Sequence, residues 1–142
     1  MEHKEQLLLT PGPLTTAETT REAMRRDWGS RDPAFIELTQ RIRARIAALA
    51  GAGDTHNCIP LQGSGTYGLE AAIATFVPRD GRVLVLANGG YCHRIVKICE
   101  ILGRTVQFYE TGEDTPPDPA EVRRRLTLDK TISHVVMVHC ET

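Results

Sequence analysis

The sequence has no excess of charge of either sign: 17 basic and 18 acidic residues leave a formal net charge of −1. It therefore lacks the long-range field that draws a protein to DNA, RNA or an acidic membrane surface, and a small anion must be held by local groups. Long apolar runs are missing too. Nothing approaches the roughly 20 residues of a membrane span, and the apolar stretch within MEHKEQLLLTPGP is too short for a secretion signal. The expectation is a cytoplasmic protein with no nucleic-acid or membrane partner. Cys58, Cys92, Cys99 and Cys140 make no CxxC pair and no zinc-ligand spacing, so buried free thiols are expected rather than a disulfide framework. His93 follows Cys92 and His139 precedes Cys140, but neighbours on a helix or strand point in different directions, and no metal site is expected. A nucleophile elbow is absent as well, because Gly63-Ser64-Gly65 breaks the G-x-S-x-G pattern.

What is present is the composition of a globular chain, 142 residues and 41% hydrophobic, enough for one core. LLLTPGPL, residues 7 to 14, sets two prolines around Gly12 and predicts an ordered turn or strap. A helix is expected from about Thr16 to Arg26. The next is better marked: Asp32 can cap it, Pro33 suits its first position, Phe35, Leu38, Ile42, Ile46 and Leu49 form an apolar stripe, and Gly51 ends it. Strands and helices then alternate. A short strand is predicted near Cys58 to Leu61, a helix carrying Leu69, Ala72, Ile73, Phe76 and Val77 on one face, and a buried strand from Arg82 to Ala87. A helix from Tyr91 to Leu102 closed by Gly103, a strand from Thr105 to Tyr109, and a helix opened by Asp118, Pro119 and a possible capping-box Glu121 follow. SHVVMVH, from Ser133 to His139, has the composition of a fully buried strand. Such alternation implies right-handed crossovers and an α/β fold with a mostly parallel sheet, with ligands at the carboxyl ends of its strands. A sheet of this kind needs helices on both faces, so the last strand, close to Thr142, has the character of an interrupted domain.

The most informative stretch is Gln62-Gly63-Ser64-Gly65-Thr66-Tyr67-Gly68, between a strand and an amphipathic helix. Its glycines permit close backbone approach, and Ser64 and Thr66 add hydroxyls at a helix N-terminus, where partial positive charge favours phosphate. The alternative is a plain tight turn with Ser or Thr as a helix cap. The letters also satisfy G-x-G-x-x-G, but a dinucleotide site belongs in the opening βαβ unit and wants an acidic residue after the second strand, where this chain has Asn88-Gly89-Gly90. No lysine follows the loop as a nucleotide-triphosphate site requires. A single phosphate monoester fits better. Tyr91 could offer a stacking surface to a flat ring, or simply pack on the core. Thr142, beyond the end of a buried strand, could bring a hydroxyl to the same crevice.

Taken in order, LLLTPGPL, DWGSRDPAF, QGSGTYGLEAAI, ANGGYCHR and VVMVHCET resemble the class V aminotransferases, which have pyridoxal-phosphate (PLP) fold type I, over essentially the whole chain. The resemblance implies that residues 1–14 are an N-terminal strap and 15–142 the incomplete N-terminal part of the large PLP-binding domain. It implies a cofactor phosphate on Ser64, Gly65 and Thr66, a pyridine ring stacked on Tyr91, Thr142 near the ring's phenolic oxygen, and Gly12 close to substrate. The expected reaction moves an amino group from 2-aminoethylphosphonate to pyruvate, giving phosphonoacetaldehyde and alanine, in a homodimer with PLP as electron sink. Other class V reactions, on alanine and glyoxylate or on serine and pyruvate, a lyase, and a non-catalytic phosphate-binding remnant stand as alternatives. The Schiff-base lysine and the aspartate that pairs with the pyridinium nitrogen are expected after Thr142, because Lys4, Lys97 and Lys130 match no such position.

Overall fold

A computed structural model describes residues 6–10 and 12–139, apart from the side chain of Asp54. The chain divides into two compact units, Met1–Pro60 and Leu61–Thr142.

In the first unit the strap is a small closed turn. Leu9 bridges Leu14 in antiparallel fashion, Thr15 N donates to Leu8 O at 3.0 Å, Leu8 N donates to Thr15 Oγ1 at 2.7 Å, and Thr10 Oγ1 donates to Pro13 O. The first helix, α1 (Glu18–Ala23), is shorter than predicted at both ends. α2 (Pro33–Leu49) begins as expected, with Pro33 at its start and the Asp32 carboxylate accepting from Ala34 N at 2.9 Å. It ends at Gly51, whose φ of 62° lies in the left-handed region. Trp28 and Phe35 hold the entry to α2 with ring centroids 5.9 Å apart, and the Arg26 guanidinium lies 4.0 Å from the Trp28 ring centroid. The apolar stripe of α2 is present, yet none of its residues is buried.

The second unit begins with α3 (Gly65–Phe76) and continues with β1 (Arg82–Ala87), α4 (Gly90–Ile101), β2 (Thr105–Glu110), α5 (Pro119–Leu128) and β3 (Ile132–Met137). The three strands form a parallel sheet in the order β2-β1-β3, with Val85 opposite Phe108 on one side and Val136 on the other. β1 is central, which explains its unbroken apolar run: Val83, Leu84, Val85, Leu86 and Ala87 are all buried. Val83, Val85 and Ala87 pack with Ile73 and Val77 at the end of α3 and with Cys92, Ile95, Ile98 and Cys99 of α4. On the other face Leu86 and Met137 line a groove with Val122 and Leu126 of α5. Gly103, φ 70°, ends α4, and Arg104 N donates to Cys99 O at 2.8 Å. No helix among the described residues is long and apolar enough to cross a membrane.

Three expectations are corrected. Cys58 to Leu61 forms no strand and joins no ladder among the described residues, and the Cys58 carbonyl accepts instead from Arg43 Nε at 2.8 Å. β3 is not fully buried: its residues alternate between half-buried and exposed, with Val135 and Met137 outward, as befits the edge of the order β2-β1-β3. The capping box at α5 does not form. Asp118 caps Ala120 N at 2.9 Å, but Glu121 turns to Arg124 and Arg125 at 2.6 and 2.7 Å instead of reaching back. Cys92 and Cys99 are buried free thiols and Cys58 is half-buried; burial pushes the Cys99 thiol above its ordinary pKa.

Candidate cofactor site

Two helix starts meet at one edge of the second unit. α4 follows directly from the carboxyl end of β1 through Asn88-Gly89, and the first turn of α3 is tied to α4 by Arg94, whose Nη1 donates to Thr66 Oγ1 at 3.0 Å. Both positive helix ends therefore lie at the carboxyl edge of the sheet, where a parallel fold places its ligands.

The loop before α3 has glycines of two kinds. Gly63 is demanded by the chain itself: its φ is 140°, and a Cβ there would come within 2.9 Å of the Tyr67 ring. Gly65 is different. It is the first residue of α3, requires no left-handed backbone, and an added Cβ would meet nothing within 4 Å. Among the described residues neither conformation nor packing accounts for the missing side chain, and the position stands open to close approach by an external group.

Ser64 occupies the cap position of α3 but its side chain makes no capping hydrogen bond. The plain-turn alternative, in which the serine is there to cap, is thus weakened. The first-turn N–H groups of a helix have no intrahelical acceptor, and here the cap residue's own hydroxyl leaves them unserved. Ser64 and Gly65 are exposed and Thr66 is half-buried. Uncapped N–H groups, two hydroxyls and an open glycine together make a concentrated donor set for a phosphate-sized anion.

Tyr91 is in the first turn of α4 and is half-buried. Arg94, one helical turn on, holds its Cζ 4.7 Å from the Tyr91 ring centroid. Of the residues singled out from the sequence, Ser64, Gly65, Thr66 and Tyr91 are thus brought to one place. Gly12 is in the first unit, at the turn of the strap, and a Cβ there would also meet nothing within 4 Å. Thr142 lies outside the described residues. The adjacent pair Cys92 and His93 diverges as helix geometry requires: Cys92 is buried with its Sγ donating to Leu86 O at 3.1 Å, while His93 Nε2 lies 3.3 Å from Glu110 Oε1.

No family model matches the chain. A 2-aminoethylphosphonate–pyruvate transaminase 2 of Burkholderia lata is 56% identical over 97% of the chain, and a 2-aminoethylphosphonate–pyruvate transaminase of Pseudomonas fluorescens is 55% identical over 97%. The chain is homologous to the N-terminal portion of class V aminotransferases. It spans 37% of the length of these curated relatives. Among solved structures, a ureidoglycine–glyoxylate aminotransferase of Bacillus subtilis superposes on 99% of the chain with a TM-score of 0.85 at 26% identity, over 37% of its own length. An alanine–glyoxylate aminotransferase of Nostoc sp. gives the same TM-score at 28% identity, with the same coverage of both chains.

Among the residues around the start of α3, Arg94 is the one that the sequence reading did not single out. Its signal was available: it stands three residues after Tyr91 on a helix, so the two share a face. In a chain of balanced charge a single arginine reads as solvated surface, and only the 28-residue contact with Thr66 sets it apart.

Proposed function

We propose that this chain is the part of a PLP-dependent transaminase that holds the cofactor's phosphate, and that the whole enzyme moves the amino group of 2-aminoethylphosphonate to pyruvate, giving phosphonoacetaldehyde and alanine. The observation that carries the cofactor assignment is the start of α3: an open Gly65 between a non-capping Ser64 and a Thr66 oriented by Arg94. The substrate assignment rests on relatives of that name at 56% and 55% identity. When bound, PLP supplies the electron sink and carries the amine between substrates. The residues of this chain do the binding and orienting. Ser64, Gly65 and Thr66 would donate to the phosphate, Tyr91 would lie against the pyridine ring, and Thr142 would approach the phenolic oxygen. Gly12 would lie near substrate, leaving room that a side chain would fill. A cytoplasmic homodimer, with 1–14 as strap and 15–142 as part of the large domain, completes the proposal.

The structural neighbours that act on glyoxylate by name favour one alternative, a class V enzyme with another substrate pair. Assaying the full-length protein with 2-aminoethylphosphonate against alanine and serine as amino donors decides between them. Faster turnover of either amino acid than of the phosphonate would overturn the substrate assignment.

Two substitutions test the cofactor assignment in the full-length protein. Thr66→Ala should weaken PLP binding by about 1 to 3 kcal/mol, the range for losing a hydrogen bond to a charged group. Tyr91→Ala should shift the absorbance of bound PLP and loosen it, whereas Tyr91→Phe should do little, because the ring makes the contact. Equilibrium titration followed by absorbance reads both. An unchanged affinity in Thr66→Ala, or equal damage from Phe and Ala at position 91, would show the roles to be wrongly assigned.

A further inference from the structure

We propose that Arg94 is a positioning residue of the phosphate cradle, and that through it the site selects the phosphorylated cofactor over its dephosphorylated form. This rests on the reading of the Ser64-Gly65-Thr66 loop as the phosphate site.

The case begins with the direction of one hydrogen bond. A guanidinium can only donate, so the 3.0 Å contact from Arg94 Nη1 makes Thr66 Oγ1 the acceptor. The hydroxyl's hydrogen is thereby directed away from Arg94, free to be given to a third group. A threonine in the first turn of a helix has no acceptor carbonyl of that helix ahead of it, so a ligand oxygen is the natural recipient. Arg94 thus turns an ambivalent hydroxyl into a dedicated donor.

Charge supplies the second step. Arginine stays protonated throughout the working pH range, and among the described residues no carboxylate pairs with Arg94. Its neighbours on α4 have their own partners: His93 lies against Glu110, and Lys97 against Glu100. Among the described residues a cation without a paired carboxylate is therefore held one hydrogen bond from the loop, in a chain whose net charge of −1 provides no general attraction for anions.

The third step is rigidity. The same guanidinium lies over the Tyr91 ring at 4.7 Å, so a single side chain links the ring expected to face the pyridine to the hydroxyl expected to face the phosphate. A planar, forked group makes both contacts at once; a lysine ammonium keeps the charge but has no plane to lay on the ring. Arg94 is exposed on α4 and contributes nothing to the buried core, so its replacement should leave the fold intact.

The test compares binding of pyridoxamine 5′-phosphate and pyridoxamine, neither of which needs a lysine to attach, to the full-length protein and its variants. Arg94→Ala should cut the preference for the phosphorylated form about tenfold, the value of one charge-assisted hydrogen bond, and weaken the direct binding of inorganic phosphate alone by a similar factor. Arg94→Lys should recover part of that preference. In a Thr66→Ala background Arg94→Ala should have a smaller effect than in the parent, because part of its action passes through Thr66. If Arg94→Ala weakens both ligands equally, or neither, while Thr66→Ala still lowers the preference, the role of Arg94 is refuted and the loop assignment stands. If the parent protein shows no preference, or Thr66→Ala leaves it unchanged, the loop assignment itself fails.

Discussion

Gly65→Val should abolish measurable PLP binding without unfolding the protein. A helical Cβ tilts toward the helix N-terminus, and one added at Gly65 would meet nothing within 4 Å, so the valine methyls would be free to reach into the space in front of the first-turn N–H groups. An anion displaced from there loses at least two hydrogen bonds to a charged acceptor, about 3 to 6 kcal/mol together, or roughly 100-fold or more in affinity. Stability should move the other way or not at all. Gly65 has no left-handed backbone to lose, and replacing such a glycine removes freedom from the unfolded chain, worth up to about 1 kcal/mol for Gly65→Ala. Gly63→Ala is the contrast, since φ 140° and the Tyr67 ring at 2.9 Å make it a folding defect. Thermal unfolding and cofactor titration of the three variants separate the two glycines. Retained PLP affinity in Gly65→Val, or a loss of stability as large as that of Gly63→Ala, would remove the ligand explanation for the open position.

The 142-residue chain, made as it stands, should show no transamination and no site-specific attachment of PLP to lysine. Transamination through PLP needs a lysine at the cofactor aldehyde. Lys97 lies six residues beyond Tyr91 on α4, about 9 Å further along the axis and turned well off its face, and it is exposed in a 3.3 Å pair with Glu100. Lys130 precedes β3. It therefore sits at the amino edge of the parallel sheet, about 20 Å, a six-residue strand's length, from the carboxyl edge where Thr66 and Tyr91 are. Lys4 is outside the described residues. Borohydride reduction after mixing with PLP, followed by mass spectrometry and an alanine-formation assay, reads the outcome. Stoichiometric labelling of one of the three lysines together with turnover would place the catalytic lysine inside this chain and require the roles given to its parts to be withdrawn.

The sequence was most legible where local chemistry alone decides structure. Asp32-Pro33 and Asp118-Pro119 start helices, Gly51 and Gly103 stop them, and Arg82 to Ala87 forms a strand as predicted, because capping, left-handed glycine and apolar runs act over a few residues. Pairing was harder to read. Cys58 to Leu61 and Ser133 to His139 have strand-like composition, yet one has no partner and the other is an edge, and both outcomes depend on strand order across more than 50 residues. Glu121 shows a local rule losing to a stronger local rival: two arginines at three and four residues' distance outbid a backbone N–H for its carboxylate. At the site, the glycine loop was visible because its residue types are unusual for a plain turn. Arg94 was not, because its meaning lies in a contact with Thr66 that no local spacing encodes.

A crystal structure of the full-length protein with PLP would test the central claim most directly. The account predicts phosphate oxygens within about 2.7 to 3.2 Å of the Thr66 hydroxyl and the first-turn N–H groups of α3, with the pyridine ring against Tyr91 and the Arg94 to Thr66 hydrogen bond retained. A phosphate bound elsewhere, with the start of α3 open to solvent, would contradict it.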